Sequence, residues 1–491
     1  PLTCARMHRV LLSVSLLAAL AAPLSAQQPR PVQDLTPAAL SPVYGPAVSS
    51  DNDLSAVMYK DGADGGVYVQ VADGHGSVWA PAVRLDSDLS AANKYVYSYS
   101  MVVMGNAIYC CWRDARLSTG ATPQYDTWFA ASLDRGLTWS ADQVLDKGYP
   151  HGPANTVYQA RIAADGARVH VAQLVDNGNE EGWLSSSADG GATWSPALSA
   201  SSSAADIDYF NVAAAGGDAY VAWCDDRNGA LLDELWFRAS HDGGLSWAAT
   251  ETQLDGSGPG AGDVEGVEIL MIATGNQISV AGLEDDLPSS LLDEELHYRY
   301  SPDGGASWGP DRTVATGADV DNHGMSFCGC NVSLAWEDDR SGVDEIYAAV
   351  SVDQGANWSE NQLSAGGGAY PRIRGRADYQ GVVWGTGAAP DGARVAVTRD
   401  EGLSWLPAMD LAGGALSGDA DYVELAFNEK YKNFVAAWLS DDSGANHLYA
   451  GGLRAQTLLP QGSFTPGGTV SFDVASFAID EEGFPFGVPV S

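Results

Sequence analysis

From Asp208 to Leu254, apolar and polar residues follow an order that the rest of the chain repeats. DYFNVAAA reads as a strand, GGD as a turn and AYVAW as a second strand. CDDRNGALLD is a polar loop, ELWFRAS a third strand, HDGG a tight turn and WAATETQL a fourth strand. No long stretch has a helical period, so the pattern predicts an all-β chain of four-stranded units. The second strand and the polar loop after it are the clearest markers. They return as YCCWRDAR, LAWEDDR and AAWLSDD, and more weakly as AVMYKDG, VAQLVDN, VAGLEDD and VVWGTG. Second strands therefore begin near residues 54, 107, 168, 218, 277, 331, 380 and 433, which predicts eight units.

The turn between the third and fourth strands repeats most closely. SLDRGLTW, SADGGATW, SHDGGLSW, SPDGGASW, SVDQGANW and TRDEGLSW place aspartates at Asp134, Asp189, Asp242, Asp303, Asp353 and Asp400. The same turns end in Trp139, Trp194, Trp247, Trp308, Trp358 and Trp405, and a stretched copy ends at Trp79. An Asp side chain accepts hydrogen bonds from nearby backbone N–H groups and pre-forms a turn, two residues on in the usual case. Gly takes a backbone conformation that a Cβ resists, and Trp pins the turn to apolar surface. The aspartates are spaced 55, 53, 61, 50 and 47 residues apart, the length of one propeller blade with its loops.

This repeat resembles the Asp-box of the sialidase-like (BNR-repeat) β-propeller superfamily. The resemblance implies a β-propeller of four-stranded blades. The repeat count favours eight, with seven as the nearest alternative; catalytic sialidases have six. The eighth unit runs through HLYAGGL and then loses its turn and fourth strand, while PVQDLTPA, from Pro31 to Ala38, resembles a spare outer strand. An N-terminal strand completing the last blade is the expected closure, because it removes an exposed edge.

Residues 1–26 read as upstream sequence plus a signal peptide, with Met7, His8 and Arg9 before an apolar run from Val10 to Ala22 and cleavage near Ala26. The expectation is a secreted protein with its propeller in residues 27–454. Residues 455–491 change composition and read as a truncated start of a β-sandwich or as a sorting tail. No stretch is long and apolar enough to predict a membrane-spanning helix.

A net charge of −38 argues against nucleic acid and anionic lipid as partners and favours cations. The six cysteines do not form a framework. Cys110, Cys111 and Cys224 sit in apolar strand patterns, and only Cys328 and Cys330 suggest a pair, either a local disulfide or two inert thiols. All fifteen tryptophans fit the repeat: the seven turn residues, Trp112, Trp223, Trp336, Trp384 and Trp438 in second strands, and Trp128, Trp183 and Trp236 in third strands.

Sialidase-like chemistry, as the resemblance implies it, uses three arginines on a sugar carboxylate, a Tyr–Glu pair and an Asp acid. A guanidinium suits that task because its fork meets a carboxylate with two charge-assisted bonds. The first unit here contains no arginine before its second strand, a departure from that pattern. The candidates are Arg161, Arg372 and Arg374 on predicted innermost strands, with Tyr370 among the recurring first-strand tyrosines Tyr158, Tyr209, Tyr370 and Tyr422. Loop carboxylates recur at Asp225, Asp226, Asp285, Asp286, Asp338, Asp339, Asp441 and Asp442, a donor set for Ca²⁺. The alternative is that these aspartates pair with Arg116, Arg227 and Arg340. P-loop, HExxH, GxSxG and CxxC motifs are absent from the sequence. Two functions fit: a secreted module binding glycans or a cell-surface component, or a sialidase-like glycoside hydrolase.

Overall fold

The computed structural model describes residues 32–454 apart from 37–43, 63, 88–95, 119–122, 146–155, 229–232, 256–263, 265–269, 286–293, 316–319, 329, 377–378, 387–391, 412–419 and 441–446. The leader and the C-terminal segment lie outside these residues. The described residues form eight four-stranded antiparallel sheets. Blade four shows the plan: Ile207–Ala215, Asp218–Asp225, Glu234–Ser240 and the short outer strand Thr252–Gln253, in sequence order. Blades one to eight occupy residues 44–84, 97–144, 156–199, 207–253, 270–315, 320–362, 369–410 and 420–454. The first strand of each blade lies beside the first strand of the next, and that of blade eight beside that of blade one. The sheets therefore close into a ring, the expected eight-bladed β-propeller.

Blade eight takes its outer strand from the N-terminus: Gln33–Asp34 pairs antiparallel with His447–Arg454, Gln33 opposite Ala450 and Asp34 opposite Tyr449. Leu35 is buried and its N–H donates to Leu448 O (2.7 Å). It packs with Val57 and Tyr59 of blade one and Leu439 and Ala450 of blade eight, so the closure spans two blades.

The second strands form the dry centre of each blade. Trp112, Trp223, Trp336, Trp384 and Trp438 are fully buried there, as are Cys110, Cys111 and Cys224. Large rings at these positions add much buried apolar surface between neighbouring sheets. Cys328 is a free thiol whose Sγ accepts a hydrogen bond from Arg376 Nε (2.9 Å), so no local Cys328–Cys330 bridge forms.

The repeated turns have one geometry. Asp242 Oδ1 accepts the backbone N–H of Ser246 (2.9 Å), its carboxylate accepts Ser246 Oγ (2.5 Å), and Ser240 Oγ accepts Gly244 N–H (2.9 Å). The carboxylate thus reaches four residues ahead rather than the two of a simple Asx-turn. Equivalent bonds hold the turns at Asp134, Asp189, Asp303, Asp353 and Asp400. The glycine two residues after each turn aspartate lies with positive φ against the preceding blade. A Cβ on Gly191 would stand 2.1 Å from Phe129, on Gly305 2.2 Å from Phe237, and on Gly355 2.2 Å from Tyr298. The closing tryptophan meets the same ring edge-on: Trp194 on Phe129 and Trp308 on Phe237, each at 4.9 Å, and Trp358 on Tyr298 at 5.3 Å. Each turn therefore fastens its blade to the one before it.

Candidate functional site at the mouth of the ring

Turn backbones contact the hairpins between first and second strands: Arg135 N–H donates to Asn106 O, Gly190 N–H to Ala167 O and Gly304 N–H to Asn276 O. Those two kinds of turn share one face. The loops after the second strands, with their aspartates, and the connections into the first strands form the other.

On that second face the first strand of most blades carries a bulge, an extra residue that re-aims a side chain. The pairing slips between Tyr97 and Tyr99, Val157 and Gln159, Asp208 and Phe210, Asp321 and His323, Ala369 and Arg372, and Asp421 and Glu424. The bulges contain Ser98, Tyr158, Tyr209, Asn322, Tyr370 and Tyr422. Ser98 (φ 46°), Tyr209 (44°), Asn322 (34°), Tyr370 (55°) and Tyr422 (51°) are in the left-handed region. An aromatic residue there costs on the order of 1–2 kcal/mol. Burial does not compensate at Tyr370 and Tyr422, which are 52% and 62% exposed; Tyr209 packs partly buried against the core, and Tyr158, 42% exposed, is outside the left-handed region. Rings that are both strained and exposed thus stand at one register on the neighbouring blades seven and eight.

The tyrosines fall in two sectors, Tyr158 and Tyr209 on blades three and four, Tyr370 and Tyr422 on blades seven and eight. Each sector has an arginine and a carboxyl group that titrates near neutrality. Arg161 of blade three reaches Ser98 Oγ (3.4 Å), and Arg372 of blade seven donates from Nε to Glu424 (3.0 Å). Arg374 donates to Ile373 O (2.8 Å). Blades three and seven stand four places apart in a ring of eight, so Arg161 and the Arg372–Arg374 pair lie on opposite sides.

The acids were not singled out in the sequence. Burial, helped by the carboxylates of Asp208, Asp206 and Asp176, pushes Glu180 up to about 7. Burial likewise raises Glu337 to about 7 against the opposing bond from Tyr370 N–H, with Asp321 and Asp344 adding to the rise. Glu337 thus holds the backbone of a strained tyrosine in the next blade. Tyr158 Oη donates to Asp176 (3.1 Å). Such a rim offers aromatic faces, charged donors, and carboxyl groups able to accept or donate a hydrogen bond at neutral pH.

The loop aspartates have different partners. Asp225 is fully buried; it accepts Trp223 Nε1 (2.7 Å), Arg227 Nε (2.7 Å) and Arg227 Nη2 (2.6 Å). Arg227 also reaches Glu251 (2.6 Å) and stacks on Trp236 at 3.8 Å. Asp338 is held by Trp336 and Arg340 in the same way, with Glu360 as the second carboxylate and Tyr347 under the guanidinium. In blade two, Asp114, Asp142 and Trp128 clamp Arg116. Asp225 and Asp338 therefore already hold a guanidinium cation. Asp226 accepts Asp206 N–H (3.1 Å), and Asp339 is exposed. Asp285 ends the strand Gln277–Asp285; Asp286, Asp441 and Asp442 lie outside the described residues.

No family model matches the chain, and no curated protein does. Solved structures do. A polysaccharide lyase is 10% identical with a TM-score of 0.51, over 84% of this chain and 90% of that one. An ulvan lyase is 12% identical (TM-score 0.45, 76% and 93%), and the NanB sialidase of Streptococcus pneumoniae is 11% identical (0.37, 82% and 83%). At these identities the likeness to the first of them fixes one property of the chain, the β-propeller fold.

Proposed function

We propose that this chain is a secreted propeller of the Asp-box kind that binds a glycan, free or on a cell surface, across the mouth of the ring. The observation that carries the reading is the pair of exposed tyrosines in left-handed backbone, Tyr370 and Tyr422. Strain that packing does not explain is retained where it serves a ligand. Tyrosine suits a sugar, since its ring covers apolar C–H faces while its hydroxyl bonds to hydroxyls. Two sectors on opposite sides of the rim suit an extended chain better than one terminal sugar. That one structural neighbour is a polysaccharide lyase agrees with a glycan ligand.

The hydrolase reading has less support. Three guanidiniums around one carboxylate need side chains on one side of the ring, whereas Arg161 is opposite Arg372, and Arg372 is engaged by Glu424. A glycan array probed with residues 27–454 should identify a bound carbohydrate, and a fluorogenic sialoside should not be cleaved. An array with no signal beside measurable sialoside turnover, lost in Arg372→Ala, would reverse the two readings.

Calcium remains a proposal for the acidic groups of this face beyond the arginine clamps, Asp226 and Asp339 among them. Relief of carboxylate repulsion is its basis. Melting should rise with millimolar CaCl₂ beyond the effect of NaCl at equal ionic strength; equal effects would mean that the face is only screened.

A further inference from the structure

Blade five lacks the arginine clamp that blades two, four and six share, and keeps the carboxylates. In the clamped blades an aromatic pair, Trp112–Trp128, Trp223–Trp236 or Trp336–Tyr347, spans the second and third strands. Two residues beyond the first member of each pair stands Asp114, Asp225 or Asp338, and the start of the outer strand adds Asp142, Glu251 or Glu360. In blade five the paired positions are Gly282 and His297, the next carboxylate is Glu284, and Asp311 immediately precedes the outer strand Arg312–Ala315. At the arginine position the sequence has Asp286. The register thus replaces an indole by imidazole, removes the facing ring and removes the guanidinium, leaving acids that elsewhere surround a cation.

The geometry gathers these groups. His297 Nδ1 is 2.7 Å from Asp311 Oδ2 and 3.4 Å from Glu284 Oε2, and the three ligating atoms lie within 4.8 Å of one another. The Glu284 side chain is 4% exposed, and among the described residues its one close polar partner is His297. On the other edge of the ring Nε2 faces Glu295 at 3.3 Å. Arg299 stands 3.8 Å from Asp311, as Arg238 stands 3.4 Å from Glu251 in blade four, which confirms the equivalence. There is room as well. A Cβ at Gly282, where the sister blades carry tryptophan, would meet nothing nearer than 3.9 Å.

We propose that blade five binds one divalent transition-metal ion, Zn²⁺ by its donor set, through His297 Nδ1, Glu284 and Asp311, with Glu295 orienting the imidazole through Nε2–H. One nitrogen and two carboxylate oxygens are a borderline-soft set that zinc accepts and that calcium, an oxygen seeker, does not favour. A carboxylate on the far nitrogen of a ligating histidine fixes its tautomer and raises its basicity. The ion takes the place that a guanidinium holds in the sister blades, joining second, third and outer strands. Its role is structural: the site lies within one blade, across its second, third and outer strands, and apart from the inner rim.

Chelator-stripped protein titrated with ZnCl₂ in excess CaCl₂ tests this, because calcium occupies plain carboxylate sites and leaves one containing imidazole. Calorimetry should show one zinc per chain, with melting temperature rising until one equivalent is bound. His297→Gln should weaken binding at least about 100-fold and Glu295→Gln about 10-fold, the range for an outer partner. Glu284→Gln serves in the same role if His297→Gln fails to fold. With cobalt in place of zinc, visible absorption should appear in the wild type and vanish in the folded ligand variant. No saturable zinc binding would overturn the proposal and leave a protonated His297 as the blade's own cation. Binding of equal strength in His297→Gln and Glu284→Gln would overturn it too.

Discussion

Gly305→Ala is expected to lower stability by about 3 kcal/mol or more, far beyond the effect of an ordinary surface substitution. Two costs combine. The backbone stands at φ 86°, where an L side chain is strained by about 1–2 kcal/mol. The new Cβ would also stand 2.2 Å from the ring of Phe237, which is buried and braced by Trp308. Overpacking a tight core typically adds about 1–3 kcal/mol. Gly275→Ala is the control, at φ 61° with nothing within 4 Å, and should lose about 1 kcal/mol. Urea melts of the two variants separate the terms. Equal losses would mean that backbone conformation alone, not the approach of neighbouring blades, dictates glycine in the turn.

Deleting residues 32–36 should open the ring. The cost includes the burial of Leu35, worth about 2–5 kcal/mol for a core leucine, and the bonds around it. Those bonds include Leu35 N–H to Leu448 O, Thr36 Oγ1 accepting Leu448 N–H (2.8 Å), Gln70 to Leu35 O (2.8 Å) and the His447–Asp34 pair (3.1 Å). The strand His447–Arg454 would then be an exposed edge, and exposed edges recruit other chains. The truncated protein should melt well below the full chain and self-associate in sedimentation. A monomer with an unchanged melting temperature would show that the N-terminal strand decorates the ring rather than closes it.

Much of the fold was legible because the chemistry that builds it is local. A turn that needs Asp, Gly and a hydroxyl residue within a few positions leaves a readable trace, and its recurrence sets the blade count. Closure was legible from one missing strand and one spare. The mouth was harder. A bulge is a single extra residue without a composition of its own, so Tyr158, Tyr209, Tyr370 and Tyr422 stood out as recurring, but the strain and exposure of Tyr370 and Tyr422 did not show. Glu180 and Glu337 become special only through neighbours distant in sequence. The doubled aspartates are ambiguous in the sequence, since a carboxylate awaiting calcium and one clamping an arginine look alike. The stacking of Arg227 on Trp236 separates the two, and the sequence does not show that contact. Blade five announced itself only as a weak copy, VAGLEDD, because its substitutions conserve the strand and change the chemistry.

The binding reading and the packing reading of the rim tyrosines predict opposite results for one variant. Tyr370→Gly combined with Tyr422→Gly removes two exposed rings and relieves two left-handed backbones, since glycine takes that conformation freely. Melting temperature and affinity for the glycan identified on the array should be measured together on this protein and the wild type. The expected result is an unchanged or higher melting temperature with at least about a tenfold loss of affinity, the trade that follows when strain is kept for function. A lower melting temperature with undiminished affinity would contradict it and make the rim tyrosines part of the packing.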